Sequence, residues 1–165
     1  MYALSVWIHV VAATAWVGSM IFFAVALVPV LRRDDLRPSA PALLRLVGAR
    51  FRALGWIALA VLIITGAANL YFRGIGWSIL RDGAFWSTSF GRALAWKLSL
   101  VALVVMATAA HDLLTGKRAL DALERSPTSG EGLRARRLAS WLGRIVLLAS
   151  LAILFFATAL VRGFF

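Results

Sequence analysis

Four long apolar blocks decide what this chain can become. They run at about Ala3 to Leu31, Phe51 to Tyr71, Ala93 to Leu114 and Ala139 to Val161. Each reaches the roughly 20 residues that a helix needs to cross a bilayer. The runs are continuous rather than alternating, which selects helices over barrel strands. In all, 62% of the 165 residues are hydrophobic. A soluble globule of this size has too little interior to hide so much apolar surface. The expected fold class is therefore all-α: an integral membrane four-helix bundle forming one domain over residues 1–165. The N-terminus lacks the basic stretch of a secretory signal, and its apolar run is too long for one, so the first block reads as a retained helix.

Charge gives the bundle a direction. The first loop carries Arg32, Arg33, Arg37, Arg45, Arg50 and Arg52, and the third carries Lys117, Arg118, Arg125, Arg134, Arg136 and Arg137. The second holds only Arg73, Arg81 and Arg92. Basic loops stay on the cytoplasmic side, so both termini are expected on the outer, periplasmic side of a bacterial inner membrane. Trp7, Trp77, Trp86 and Trp96 then fall at the outer interface. The arginines sit at the ends of the apolar blocks, where lipid headgroups meet them, so the net charge of +11 points to membrane lipid and not to nucleic acid.

Two breaks in this pattern are expected to form local structure. Pro41 to Arg50, with Leu43, Leu44 and Leu46, reads as a short interfacial helix ahead of the second crossing. Ser126-Pro127-Thr128-Ser129-Gly130 reads as a turn.

Polar groups at membrane depth are expensive and are candidates for function. Here they are His9, Asn69, Lys97, His111, Asp112, Arg144 and Arg162. The topology sorts them by depth. His9, Asn69, Lys97 and Arg162 fall toward the outer face; His111, Asp112 and Arg144 fall toward the inner one. On the first helix His9, Ala12, Ala13, Trp16, Met20 and Phe23 share a stripe. On the third, Lys97 and His111 share a face but stand about 21 Å apart along the axis, too far to bind one metal ion within one chain. The same depth argument separates His9 from His111.

His9 with Lys97 is the pair with most chemical content. The lysine either snorkels to the interface or joins a site in which His9 ligates haem iron and the amine serves as second ligand, propionate partner or acid/base group. Arg162, Arg73 and Arg92 offer charge on the same side. His111 is either a helix-end histidine beside Asp112 or a second metal ligand. The chain has no cysteine, which removes disulfides, thiolate metal sites and thiol catalysis.

The residues also resemble a known family. Trp7-Ile8-His9-Val10-Val11-Ala12-Ala13-Thr14-Ala15-Trp16-Val17-Gly18 looks like the first helix of CopD-like copper-resistance membrane proteins, and is similar to that of HemJ-type protoporphyrinogen oxidases. Arg52 with Thr65-Gly66-Ala67-Ala68-Asn69, then Trp96-Lys97-Leu98-Ser99-Leu100-Val101, then His111-Asp112 before Gly116-Lys117-Arg118 continue the likeness. The HemJ-type likeness implies haem b, with roles in haem binding and activity on His9 and Lys97. The CopD-like likeness implies copper movement across the inner membrane through His9, alone or with Met20 as a further ligand.

Three functions are therefore expected in competition. In the leading one the chain is a haem b redox protein, a haem-dependent membrane oxidoreductase. His9 is its axial ligand, Lys97 its second ligand or catalytic group, Trp16 a pocket wall, Asn69 and Arg162 its further cofactor contacts, and a quinone or porphyrin-type molecule its partner. The second is a copper-handling or copper-transport protein, with His9 as entry ligand. The third is a non-catalytic subunit of a larger membrane complex. So short a chain has few internal surfaces, so a homodimer or a complex partner is expected under all three. Copper transport commonly uses sulfur ligands in series, and three methionines without a cysteine supply few.

Overall fold

The computed structural model describes residues 1–36, 38–114 and 130–162. The expected turn at 126–129 and residue Arg37 lie outside the described residues. The described chain is all helical, and four of its helices are long and apolar enough to cross a membrane. Helix one spans Tyr2–Val30, helix two Ala40–Phe72, helix three Ser89–Leu114 and helix four Gly130–Arg162.

Local chemistry explains the ends and the irregular turns. Pro29 has no N–H to donate back along helix one, and the turn before it, Phe23–Leu27, is wound as a π-helix. Helix two does not stop at the interface. The stretch expected as a separate short helix, Pro41 to Arg50, is continuous with it, because Pro41 falls in the first turn, where its missing N–H costs nothing. At its far end Gly74 takes φ 77°, so that Gly74 N donates to the Tyr71 carbonyl and Ile75 N to that of Leu70, closing the helix. Two short helices follow, Trp77–Arg81 and Gly83–Ser87. Thr88 then caps helix three, its side-chain oxygen accepting from Gly91 N at 3.0 Å. A side chain at Gly91 would collide with the Phe85 carbonyl, so the short helix packs directly on the start of helix three.

Helices one and two pack antiparallel in a register fixed by side chains along their whole length. Tyr2 meets Phe72 with ring centroids 6.0 Å apart, His9 bonds Thr65, and Phe23 meets Phe51 at 4.9 Å. Helix three packs along helix four, and helix one also touches helix four. There Trp16 Nε1 donates to Ser150 Oγ at 3.0 Å. The core lies at mid-depth: Trp16, Val17, Leu59, Val104, Ala107, Val146 and Ala149. Small residues at these seams let the helices approach, which is how helices associate in lipid without a hydrophobic drive. Gly55 is one, since a Cβ there would stand 3.0 Å from the Trp16 ring. Only 11–22% of each span's most apolar window is buried in the bundle, so the greater part of the apolar surface is left for lipid to cover.

Candidate functional site

The end of the bundle that holds Tyr2 and Phe72 is called the outer end below, after the orientation expected from the loops. Two turns beneath it, the imidazole of His9 leans from helix one onto helix two. Its Nδ1 lies 2.7 Å from Thr65 Oγ1. The Thr65 hydroxyl in turn donates to the Val61 carbonyl at 2.6 Å. With that proton on the Val61 carbonyl, Thr65 accepts from His9, the arrangement in which Nδ1 carries the ring hydrogen. The Leu62 carbonyl lies 3.5 Å from the same threonine oxygen. Nε2 is left with its lone pair, the ligating tautomer of a histidine oriented by a second partner. Gly66 flanks the ring: a Cβ there would stand 3.5 Å from His9 Cε1, an ordinary van der Waals contact.

Lys97 comes to this ring from helix three. It is half-buried, and its charge acts on His9. The charge of Arg73 acts on Lys97, and Arg73 Nε donates to Tyr2 Oη at 3.1 Å. Helices one, two and three thus contribute to one polar region, Arg73 from the cap of helix two. Asn69 stands one turn outward of Thr65, half-buried, and its Oδ1 has no partner among the described residues. Ser5 stands one turn outward of His9 and its Oγ is equally buried and unpartnered. Sequence reasoning passed over Ser5, although its spacing of four from His9 places it on the same stripe.

The other singled-out residues lie elsewhere. Trp16 sits in the apolar core, 6% exposed, with its N–H on Ser150. Arg162 closes helix four, and its side chain lies outside the described residues. His111 is at the opposite end, with Nδ1 3.6 Å from Asp112 Oδ1. Asp112 also accepts from Trp56 Nε1 at 2.7 Å and pairs with Arg52 Nε at 3.5 Å. Arg52 and Trp56 are four apart on helix two, so this is a bridge from helix two to helix three, and Trp56 was not among the expected polar contacts. Among the described residues no three His, Cys, Asp or Glu gather in one place. An open cleft lined by Trp86, Arg92, Ala95, Trp96 and Ser99 lies on a different stripe of helix three from Lys97.

Comparison with known proteins narrows the reading. Residues 45–160 match the family model described as copper resistance protein D. The chain belongs to that family. The matched range takes in Thr65, Asn69, Lys97 and Asp112, whereas Ser5 and His9 precede it. A protein of Aquifex aeolicus (strain VF5), described only as an uncharacterized protein, is 30% identical over 166 residues, covering 99% of this chain and 98% of its own. No solved structure matches. The family and the four apolar helices together make this a multi-pass membrane protein.

Proposed function

We propose that the chain handles copper in the bacterial inner membrane, taking the ion at the outer end through His9 Nε2. The observation that carries this reading is the hydrogen bond to Thr65, which fixes the ring hydrogen on Nδ1 and leaves the other nitrogen free to ligate. The family's copper description supports the choice of ion. In this reading both termini face outward, so the ion arrives from the periplasmic side. Lys97 opposes a second cation beside the ring; its flexible stem carries the ammonium outward when copper enters. A bundle with one such seam per chain works with a second copy or another membrane protein to form a continuous conduit.

The leading expectation of a haem b oxidoreductase gains no support from the family match, nor does the likeness to HemJ-type oxidases. His9 would offer haem one axial nitrogen, but no further observation favours a porphyrin over copper. One experiment decides between them. Purified protein in detergent is titrated with copper, analysed for bound metal, and scanned in the visible region after haem supplementation. The expected result is stoichiometric copper that is lost in His9→Ala. A Soret band that disappears in His9→Ala, with no copper retained by the wild type, would overturn the copper reading.

A further inference from the structure

Helix three stands apart from the first two helices at the outer end. Helix one packs on helix two and helix three on helix four, and the two pairs meet chiefly along helices one and four. Among the described residues the side-chain bonds from helix three to helix two are those of Asp112, at the inner end. At the outer end the two pairs are linked by charge alone. Lys97 acts on His9 of helix one, and Arg73, at the cap of helix two, acts on Lys97. Among the described residues the Lys97 ammonium has no ion pair and no hydrogen bond. Of the described carboxylates, Asp34, Asp35, Asp112 and Glu131 belong to segments at the inner end. Asp82 Oδ1 is engaged with Ala84 N, capping the short helix Gly83–Ser87. Two cations, one of them half-buried, thus oppose each other beside an opening in the bundle without a described counter-charge, an arrangement that is costly at membrane depth.

We propose that Lys97 and Arg73 hold between them the phosphate of an anionic lipid, which enters from the bilayer between helices two and three. Basic pockets between membrane helices take lipid headgroups in this way. Arg73 is prepared for the task. Its Nε donates to Tyr2 Oη at 3.1 Å, which orients the guanidinium, and its two terminal amines have no partner among the described residues. Paired N–H groups in one plane match the oxygens of a phosphate. The Tyr2 hydroxyl keeps its own hydrogen to donate beside them. Depth favours a lipid over a free anion. Lys97 lies about 12 Å inside the first residue of helix three, flanked by the exposed apolar side chains of Trp96 and Leu98. A soluble anion would have to leave water to meet it, whereas a lipid phosphate rests at the level to which a lysine stem extends its ammonium. A headgroup that carries its own ammonium brings a third cation to the pair, so the site selects a net-negative headgroup over a zwitterionic one. This inference goes beyond the copper reading and stands without it.

The test uses the full chain in detergent micelles, stripped of lipid and free of copper. Short-chain phosphatidylglycerol, short-chain phosphatidylethanolamine and inorganic phosphate are the probes, and bound lipid is counted by native mass spectrometry. The expected result is a single phosphatidylglycerol per chain, held about tenfold more tightly than phosphatidylethanolamine and not displaced by inorganic phosphate. Lys97→Gln and Arg73→Gln each weaken it by about fivefold or more, the worth of one cation at a membrane surface. Lys97→Arg, which keeps the charge, retains the lipid. Arg81→Gln removes an exposed cation from the last turn of the neighbouring helix Trp77–Arg81 and leaves affinity unchanged. Monodisperse elution and unchanged helical content confirm that each variant is folded, and Arg73→Gln, at the exposed cap of helix two, keeps the test decisive if Lys97→Gln is not. Equal binding of the two lipids, indifference to Lys97 and Arg73, or a loss in Arg81→Gln as large as in Arg73→Gln reduces the effect to general attraction between cations and headgroups and overturns the proposal. Displacement of the lipid by inorganic phosphate makes this a free-anion site and overturns it too. Copper is absent throughout, so each of these results leaves the copper reading untouched.

Discussion

Thr65→Val separates a histidine that is merely bonded between helices from one that is oriented to ligate. Valine keeps the branched shape at a position only 8% exposed and removes the oxygen that His9 Nδ1 reaches at 2.7 Å. As interhelical glue in lipid, such a bond is worth about 0.6 kcal/mol on average. Its loss alone would shift unfolding slightly and leave metal affinity untouched. As the group that fixes the ring's tautomer and direction, it is worth about 10- to 100-fold in metal affinity, or roughly 1.4–2.8 kcal/mol at 1.4 kcal/mol per tenfold. The two roles therefore differ by more than the error of a competition assay. Copper affinity measured against a chromophoric chelator in detergent should fall by that factor in Thr65→Val and hold within a few-fold of wild type in Thr65→Ser, which restores the hydroxyl. A Thr65→Val protein that binds copper as tightly as wild type, when His9→Ala binds none, would refute the tautomer argument.

Three further outcomes follow from the same geometry. Lys97→Gln removes a positive charge that acts on the ring and should tighten copper binding at least tenfold, since a unit charge and a dication repel by more than about 1.4 kcal/mol within roughly 20 Å at an effective dielectric of about 20; unchanged affinity by the same competition assay would remove Lys97 from the site's electrostatics. Asp112→Asn should lower stability in a detergent unfolding titration by about 1 kcal/mol, since it weakens a half-exposed pairing with Arg52 and alters the acceptor of Trp56, and should leave copper affinity unchanged because it lies at the opposite end. Gly91→Ala drives a methyl group into the Phe85 carbonyl and should free the Gly83–Ser87 helix from helix three, seen as faster proteolysis between Gly74 and Ser89 with the crossing helices intact.

The number of crossings and the depth of each polar residue were legible because both depend only on apolar length and position. Facing partners were not. In water, an apolar stripe tells which side of a helix meets its neighbours; in lipid, both sides are apolar. Helix three shows the difficulty: Val104 is buried at 2% and Met106, two residues on, is 62% exposed, though both are hydrophobic. The polar residues broke this symmetry where they were few. His9 and Lys97 could be matched by depth alone. Ser5 could not, because a serine one turn from a helix start reads as interfacial, and its burial follows from the antiparallel register with helix two. Trp56 was hidden in the same way, as an aromatic at an expected membrane interface whose N–H finds Asp112 only once the end of helix three is brought to helix two.

That arrangement bears on how an ion would leave. Trp16, Leu59, Val104 and Val146 form an apolar layer between the outer polar region and the bridge at Asp112. An ion leaving His9 meets few ligands in that layer: the Met20 thioether packed against it, and the Ser150 hydroxyl that accepts from Trp16 Nε1. Moving a dication through so sparsely ligated a layer would carry the cost that keeps charges out of membranes. Among the described residues the side-chain bonds joining helix two to helix three are those of Trp56 and Arg52 to Asp112. Passage therefore requires either that the pair formed by helices one and two move against the pair formed by three and four, breaking that bridge, or that a second chain provide the inner half of the route. The two cases part at Asp112: in the first, Asp112→Asn speeds copper release to the inner side of sealed vesicles, and in the second it leaves release unchanged while dissociating the chains abolishes it.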